Sequence, residues 1–317
     1  MSWFVGVDLG ATNIAAVVGR ADGSIEASER RPTPQTSGIE ITEEILATVE
    51  AVSADAGISP ETVKAAGIGS IGPLDMTDGV VREPANLPDA VELIPLTGPL
   101  EKLVKAPVVL HNDANAGVIA EQFYAEYTPD NIVYLTISSG IGAGVIVDGT
   151  VLRGWDGNAG EVGHFPVDPD GVMRCGCGKR GHWEAYCSGN NIPQYAQHLH
   201  EGQQTALPIE SGSIDAAAVF THAESDGFAE SVLEHVSHWN ARGVTAIVHA
   251  YAPMVITVGG AVALHNPHIV EELEERVADL VMTNVPEIRL TSLGNDVVVT
   301  GALASAIQSH DSASENR

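Results

Sequence analysis

Lysine, aromatic side chains and long apolar runs are scarce in this chain of 317 residues. The lysines are Lys64, Lys102, Lys105 and Lys179. With 15 basic residues against 42 acidic ones, the formal net charge at pH 7 is -27. Because a field of that sign repels phosphate backbones, we expect no nucleic-acid partner. No run of about 18 apolar residues occurs and no charged leader precedes Trp3, so we expect a soluble, cytoplasmic protein without a membrane partner.

Cysteine is also rare, and this limits how the chain can be stabilised. Three cysteines in a cytoplasmic-looking chain do not suit a disulfide framework, and Cys175 and Cys177 have the spacing of a metal knuckle. Aromatic residues make up 5% of the chain and hydrophobic residues 44%, so the cores must be mainly aliphatic. The length suits two domains better than one core.

The acidic residues are spread along the chain instead of being gathered in a tail. Two interpretations stay open at this point. The protein is adapted to high salt, where screening shortens the reach of self-repulsion, or it is an ordinary acidic cytoplasmic enzyme.

Two segments share one pattern, a buried strand followed by a glycine-rich turn and a returning strand. The first runs from the strand Trp3–Asp8 to the apolar run Ile14–Val18. The second runs from Ile132–Ile137 through the turn Ser138–Gly144 to Val145–Val147. Two such copies predict a duplicated α/β domain with a cleft between the copies.

The remaining pattern predicts strands and helices in alternation. We expect helices at Ile39–Ala56, Ala114–Tyr127, Pro267–Thr283 and Gly301–Ser309, and strands at Lys64–Gly69, Pro107–Leu110, Met254–Val258 and Asp296–Val299.

Both glycine turns have the composition of phosphate cradles. The first follows an acid that can hold Mg²⁺ through water, and its members are Asp8, Gly10, Thr12 and Asn13. The second offers backbone N–H groups and a hydroxyl at Ser139, Gly140 and Gly142. Either turn alone is more often only a hairpin turn, but the pair after equivalent strands favours a nucleotide site.

Asn112 and Asp113 lie between a predicted strand and a predicted helix. Asp113 either caps the helix, which is the commoner role, or acts as a general base on a sugar hydroxyl that attacks a phosphoryl group. In the second case Asn112 hydrogen-bonds a neighbouring hydroxyl.

Two cysteines and two histidines form the usual ligand set of tetrahedral zinc: His164, Cys175, Cys177 and His182. The alternative is a pair of reduced structural thiols. Cys187 is expected in a helix core, with a reserve role as a ligand if His182 is not used. A fully ligated zinc has no open position, so this metal would be structural.

Glu161 and Glu184 flank the predicted ligands, three residues before His164 and two after His182. If a helix starts near His182, residues two apart point to opposite sides, so Glu184 faces away from the metal. His164 can contact the metal through one ring nitrogen and a sugar hydroxyl through the other. This arrangement predicts a metal that shapes a polyol site without taking part in its chemistry.

Taken together, these motifs resemble the ROK family of sugar kinases, and within it the zinc-containing glucokinases. The resemblance covers nearly the whole chain and rests on the following segments: D-L-G-A-T-N from Asp8, G-S-I-G-P at Gly69–Pro73, N-D-A-N-A at Asn112–Ala116, the turn at Ile137–Gly142, G-E-V-G-H at Gly160–His164, and C-G-C-G-K-R-G-H-W-E at Cys175–Glu184.

The resemblance implies an actin/hexokinase/Hsp70-like (ribonuclease H-like) fold with two α/β domains and the active site in the interdomain cleft. The first domain would cover residues 1–113, completed by the C-terminal helix at about 301–317. The second would cover 114–300 and carry the zinc.

By the same resemblance Asp113 is the general base, and the sugar is bound by Gly72, Asn86, Asn112, Asp113, Glu161, His164 and Glu184. The nucleotide set gains the glycine pair Gly259 and Gly260, which closes the strand Met254–Val258. Three departures from the family pattern stand out: His182 replaces a cysteine, Ser138-Ser139 replaces Gly-Thr, and Cys187 replaces a small residue. Imidazole is an accepted zinc ligand, so we expect the metal site to persist.

The implied activity is ATP-dependent phosphorylation of the 6-hydroxyl of glucose, with Mg²⁺ and a homodimeric or homotetrameric assembly. Fructose or N-acetylmannosamine present similar hydroxyls and stay open as substrates. A sugar-responsive repressor of the same family is disfavoured, because its DNA-binding segment would precede Trp3 and the charge of -27 opposes DNA.

Overall fold

The computed structural model describes residues 2–84, 86–126, 128–155, 157–209 and 212–315. The strands are β1 (Trp3–Leu9), β2 (Asn13–Arg20), β3 (Ile25–Pro32), β4 (Val63–Ser70), β5 (Leu74–Asp75), β6 (Val80–Arg82), β7 (Leu93–Pro95), β8 (Val108–Asn112), β9 (Ile132–Ile137), β10 (Ile141–Val147), β11 (Thr150–Val151), β12 (Val255–Gly259) and β13 (Glu287–Leu290). The α-helices are α1 (Gly38–Asp55), α2 (Thr97–Val104), α3 (Asp113–Phe123), α4 (Glu184–Cys187), α5 (Ile192–Leu199), α6 (Ala216–His222), α7 (Gly227–Tyr251), α8 (Ala261–His265), α9 (His268–Ala278) and α10 (Val297–Glu315).

The chain divides into two compact units. The first contains residues up to Thr128, the short stretch Trp155–Gly157 and the C-terminal stretch from Asp296. The second contains Pro129–Gly154 and Asn158–Asn295. The predicted division at residue 113 assigned α3 to the second domain, whereas α3 packs on α10 in the first unit. The final two residues of the predicted C-terminal helix, 316 and 317, lie outside the described residues.

The first unit is built on a five-stranded sheet in the order β3-β2-β1-β4-β8. Strands β3, β2 and β1 pair antiparallel, and β4 and β8 then add in parallel to β1. Alternate residues of β1 (Val5, Val7, Leu9) are fully buried on one face with Ile41 and Ile45 of α1. Strands β5, β6 and β7 form a separate three-stranded antiparallel sheet.

The other face of the first sheet is covered by α10, whose backbone approaches unusually closely. A Cβ on Gly67 of β4 would lie 2.0 Å from the carbonyl oxygen of Ala302, and one on Gly6 of β1 would lie 2.5 Å from that of Val299. A Cβ on Gly301 would lie 1.8 Å from the carbonyl oxygen of Ala116. Glycine at these positions therefore lets α10 sit between the sheet and α3.

The predicted strand Asp296–Val299 is wrong, because Val297 begins α10 and the helix continues past the predicted Gly301 start. The run of valines has high strand propensity, but packing against the glycine positions of β1 outweighs that preference. The last strand is instead β13, which pairs in parallel with β12. The helix predicted at Pro267–Thr283 is also shorter, since α9 ends at Ala278.

The second unit repeats the sheet of the first, with the order β11-β10-β9-β12-β13 and the same strand directions. The large apolar core of this unit packs α7 and α9 against that sheet and includes the fully buried Trp183 and Tyr186. The segment between β11 and β12 contains α4–α7 and the predicted metal ligands. Among the described residues, no helix combines the length and the apolarity needed to cross a membrane.

Candidate active site

The first glycine turn joins β1 to β2 and is held by its own sheet. The amide of Gly10 donates to the carbonyl of Asn13 at 2.9 Å. The hydroxyl of Thr33 donates to the carbonyl of Gly10 at 2.8 Å. The amide of Thr33 donates to the carbonyl of Thr12 at 2.9 Å. The side chains of Thr12 and Asn13 remain exposed. This turn is therefore fixed through its carbonyl groups.

Asp8, near the end of β1, and Asp113, at the start of α3, interact electrostatically. Burial, together with the negative charge of Asp113, raises the pKa of Asp8 to about 7, and Arg30 opposes the shift. The pKa of Asp113 is also raised, chiefly because the protein around the carboxyl displaces water, although the side chain itself reaches solvent. The structure thus brings together the two acids that the sequence marked for separate roles.

The N-cap of α3, between β8 and α3, is Asn112 and not Asp113. The side-chain oxygen of Asn112 accepts from the amide of Asn115 at 2.7 Å, as an N-cap does. Asp113 is the first residue of α3, and one carboxylate oxygen accepts from the amide of Ala114 at 2.8 Å. Since the cap is supplied by Asn112, the second oxygen of Asp113 is not used in capping.

The second glycine turn, between β9 and β10, is held by the segment around α4. The carbonyls of Ser138 and Ser139 accept from the amides of Gly189 and Asn190 at 2.7 Å and 3.4 Å. On the other side, a carboxylate oxygen of Glu184 accepts from the amide of Ile141 at 2.9 Å. This turn therefore depends on a part of the chain that lies more than 40 residues away in sequence.

The four predicted metal ligands come together in the second unit. His164, Cys175, Cys177 and His182 each offer one ligand atom, and these atoms all lie within 4.8 Å of one another. The Sγ of Cys175 is 3.7 Å from Nδ1 of His164, and the Sγ of Cys177 is 3.3 Å from Nδ1 of His182. Metal–ligand bonds of about 2.0–2.3 Å in a tetrahedron place ligand atoms roughly 3.3–3.8 Å apart. The donor set therefore fits zinc in its chemistry, and these two pairs of ligand atoms have the spacing of a tetrahedral site.

Two of the four predicted ligands, His182 and Cys175, have shifted pKa values. Burial lowers the pKa of His182, with a further contribution from His164, so its imidazole is neutral and can bind metal. Burial raises the pKa of Cys175 to about 11. Without a cation this thiol stays protonated at neutral pH, and only a bound metal makes the thiolate favourable.

His164 lies between another predicted metal ligand, Cys175, and the acid Glu161. Its Nδ1 faces Cys175, and its Nε2 lies 3.9 Å from a carboxylate oxygen of Glu161. The two ring nitrogens thus point to different partners, Cys175 and Glu161. Glu184 does not face away from the cluster as predicted, because the helix begins only at Glu184 and not near His182. One of its carboxylate oxygens lies 3.8 Å from the Sγ of Cys175.

Residues outside the predicted site anchor this region in the core. Trp183, between His182 and Glu184, is fully buried and donates from its indole nitrogen to Asn240 at 2.8 Å. The buried Asp168 accepts from the hydroxyl of Tyr186 and from two amides in the loop that leads to Cys175. A tryptophan set directly between two predicted site residues was the available signal. The sequence around Asp168 carries no such signal, because its partner Tyr186 is 18 positions away.

Cys187 is a core residue, as expected, and its thiol donates to the carbonyl of Val236 at 3.4 Å. It does not belong to the metal cluster found among the described residues, which contains His182 instead. The helix expected near His182 begins at Glu184.

The remaining predicted site residues lie in loops and at strand ends. Gly72 and Asn86 are exposed in the first unit. In the second unit Gly259 ends β12, where a Cβ would lie 2.5 Å from the hydroxyl of Tyr134. Gly260 has a φ of 86° and caps α8, a backbone conformation that favours glycine.

Two units with one sheet topology, each with a glycine turn after its first strand, define a two-domain fold of the actin/hexokinase class. Within that class the chain belongs to the ROK family, which matches residues 4–309. The family and the fold class expected from the sequence are thereby confirmed.

Individual relatives match over nearly their full length. The chain is 38% identical over 310 residues to a glucokinase of Pyrobaculum calidifontis, covering 96% of this chain and 95% of that one. The fold matches the crystal structure of a ROK hexokinase from Thermus thermophilus with a TM-score of 0.85 and 32% identity, covering 98% and 99% of the two chains. A ROK family glucokinase from Streptomyces griseus, in complex with glucose and AMPPNP, matches with a TM-score of 0.76 and 28% identity over 97% and 100%.

Proposed function

We propose that this protein is an ATP-dependent glucokinase that transfers the γ-phosphoryl group of ATP to the 6-hydroxyl of glucose. The observation that carries the proposal is the near-full-length match to relatives named glucokinase. The positions of the predicted site residues support it, because they lie at strand ends, at helix starts, in turns and loops, or in the cysteine-histidine cluster described above.

Asp113 takes the proton from the attacking hydroxyl in this proposal. A base is most effective when its pKa lies near the working pH while it is still ionised. The pKa of Asp113 is shifted upward in that direction. Because Asn112 supplies the helix cap, the carboxylate keeps an oxygen for the substrate.

Sugar hydroxyls are oriented by a set of polar groups. Carboxylate and imidazole acceptors select a polyol because each can hold one or two hydroxyls at a fixed angle. The proposed set is Gly72, Asn86, Asn112, Glu161, His164 and Glu184. His164 supports this role because its Nε2 faces Glu161 and not the cysteines.

The two glycine turns bind the phosphates in this proposal, together with Gly259 and Gly260. Mg²⁺ would be held at Asp8, whose oxygens are the ligands this ion prefers and whose buried charge lacks full compensation, as its pKa of about 7 indicates. When bound, the ion neutralises charge on the phosphates. The protein's own part is to hold the turns and the acid in place.

Zinc would be held by His164, Cys175, Cys177 and His182, and with four protein ligands it would be structural. We also propose a cytoplasmic homodimer or homotetramer adapted to high salt. The salt adaptation is supported by the net charge of -27.

A coupled assay of ADP release over a sugar panel tests the proposed function. With ATP and Mg²⁺ we expect the highest kcat/KM for glucose and lower values for fructose, mannose and N-acetylmannosamine. A higher kcat/KM for N-acetylmannosamine would contradict the assignment of the sugar, and no ADP release with any sugar would contradict the kinase.

A further inference from the structure

Glu184 occupies a position between two parts of the second unit. One carboxylate oxygen lies 3.8 Å from the Sγ of Cys175, and the other accepts from the amide of Ile141 at 2.9 Å. Ile141 is the first residue of β10 and directly follows the glycine turn. The same side chain therefore contacts both the cysteine cluster and the second turn.

The packing at Gly140 shows how closely the carboxylate of Glu184 approaches the turn. A Cβ built there would lie 2.7 Å from the second carboxylate oxygen of Glu184, closer than a Cβ normally approaches. A Cβ on Gly142, two residues further on, would lie 3.7 Å from Thr136, an ordinary distance. While Glu184 stays in place, a side chain thus fits at Gly142 in β10 but not at Gly140 in the turn.

The opposite side of the turn is tied to the same short segment. The amides of Gly189 and Asn190, just after α4, donate to the carbonyls of Ser138 and Ser139. Glu184 is itself the first residue of α4, and Trp183 fixes that helix in the core through its bond to Asn240. Both sides of the turn are therefore set by one rigid element.

From these contacts we propose that Glu184 is a positioning residue for the phosphate turn, in addition to its place in the proposed sugar set. The inference rests on the proposed function for the meaning of the turn, but not for the contact itself. The carboxylate of Glu184 fixes the amide of Ile141. It thereby sets the orientation of the N–H groups in the turn that precedes Ile141. The affinity for the sugar and the affinity for the nucleotide then both depend on the side chain of Glu184.

Hydrogen–deuterium exchange on the free protein tests the positioning without any substrate. In Glu184→Ala we expect faster exchange in the peptide covering residues 138–142, because the Ile141 amide loses its acceptor. Glu184→Gln keeps an acceptor oxygen and should restore slow exchange. Glu161→Ala, which removes the acid that faces His164, is the matched control and should leave this peptide unchanged. Equal exchange in wild type and Glu184→Ala would overturn the proposal.

Ligand binding gives the functional readout by calorimetry. Glu184→Ala should bind AMPPNP with Mg²⁺ about tenfold more weakly in the absence of sugar, as expected for a lost charge-assisted bond. Glu161→Ala should stay within about twofold of wild type, although both variants lose glucose affinity. An unchanged nucleotide Kd in Glu184→Ala would contradict the proposal.

The reciprocal pair is Gly140→Ala and Gly142→Ala. The first should weaken glucose binding because its methyl group displaces Glu184, and the second should not. Equal glucose affinities in the two variants would contradict the proposal. If the wild type phosphorylates no sugar yet the exchange result holds, the proposed function fails and the positioning role stands.

Discussion

The two units share a sheet of one topology but brace their glycine turns in different ways. In the first, the carbonyl groups of the turn accept from Thr33, which directly follows the neighbouring strand β3. In the second, the turn is braced by Glu184, Gly189 and Asn190, which come from the long segment between β11 and β12. The same hairpin is thus self-supported in one unit and supported by an added segment in the other.

The chemistry of the two regions follows the same division. The first unit contains Asp8 and Asp113, two acids at element ends whose pKa values are raised, chiefly by the surrounding protein. The second contains the cluster of two cysteines and two histidines, which lie outside its α-helices and named strands. Acids set on a sheet and helix need no further support, whereas loop residues need a metal or a buried anchor to hold them.

The largest expected effect in this comparison is that of Asp113→Asn in the first unit. Removing the proposed base should lower kcat about a thousandfold, while glucose binding stays within a few-fold of wild type. Steady-state kinetics and calorimetry measure the two quantities. Turnover near the wild-type rate would show that Asp113 is not the base.

The corresponding test in the second unit is Cys177→Ser. We expect the zinc content to fall from one ion per chain to less than about a tenth, with a lower thermal midpoint, because metal binding contributes folding energy. Cys187→Ala is the control, since this cysteine bonds Val236 in the core, and it should keep its zinc. Metal analysis that finds no zinc in the wild-type protein would contradict the assignment of the metal.

Close packing of α10 in the first unit gives the next prediction. Gly67→Ala should lower the free energy of unfolding by about 3 kcal/mol, because its Cβ would overlap the carbonyl of Ala302. Gly98→Ala, on α2 with no atom within 4 Å of the added Cβ, should have little effect. Chemical denaturation measures both, and equal stabilities would contradict the close approach.

The pH dependence of kcat/KM distinguishes acids with raised pKa values, as in the first unit, from carboxylates that titrate at their ordinary pKa. In their proposed roles, Asp8, with a pKa of about 7, must be ionised to bind a cation, and Asp113, whose pKa is also raised, must be ionised to accept a proton. The kcat/KM should therefore rise with pH through neutrality and level off at higher pH. A flat profile between about pH 5 and about pH 8 would contradict the raised pKa values.

The smallest expected effect concerns the charge that both units share. Screening of a net charge of -27 should raise the thermal midpoint by several degrees between low salt and about 1 M KCl. Equal midpoints in both buffers would contradict adaptation to high salt and favour an ordinary acidic enzyme.

Much of the arrangement could be predicted from local sequence. The strand–turn–strand repeats, α1 and the strand ending at Asn112 follow from hydrophobic periodicity and turn residues. The cysteine-histidine cluster follows from ligand type and spacing, since few other patterns place those residues together.

What could not be predicted depends on contacts between distant segments. The valines from Val297 form a helix because Gly6 and Gly67 admit its backbone, and no window around residue 297 contains that information. The bond from Ile141 to Glu184 joins a backbone amide to a side chain 43 positions away, and a backbone donor has no sequence signature.

Trp183 has a practical consequence as a built-in optical reporter. Its indole is sealed in the apolar interior, one position from His182 and one from Glu184, whereas Trp155 is 96% exposed. Emission from Trp183 should be blue-shifted and shielded from aqueous quenchers such as iodide. A red shift of the Trp183 component would then signal loosening of the loop it fixes before the remainder of the unit unfolds.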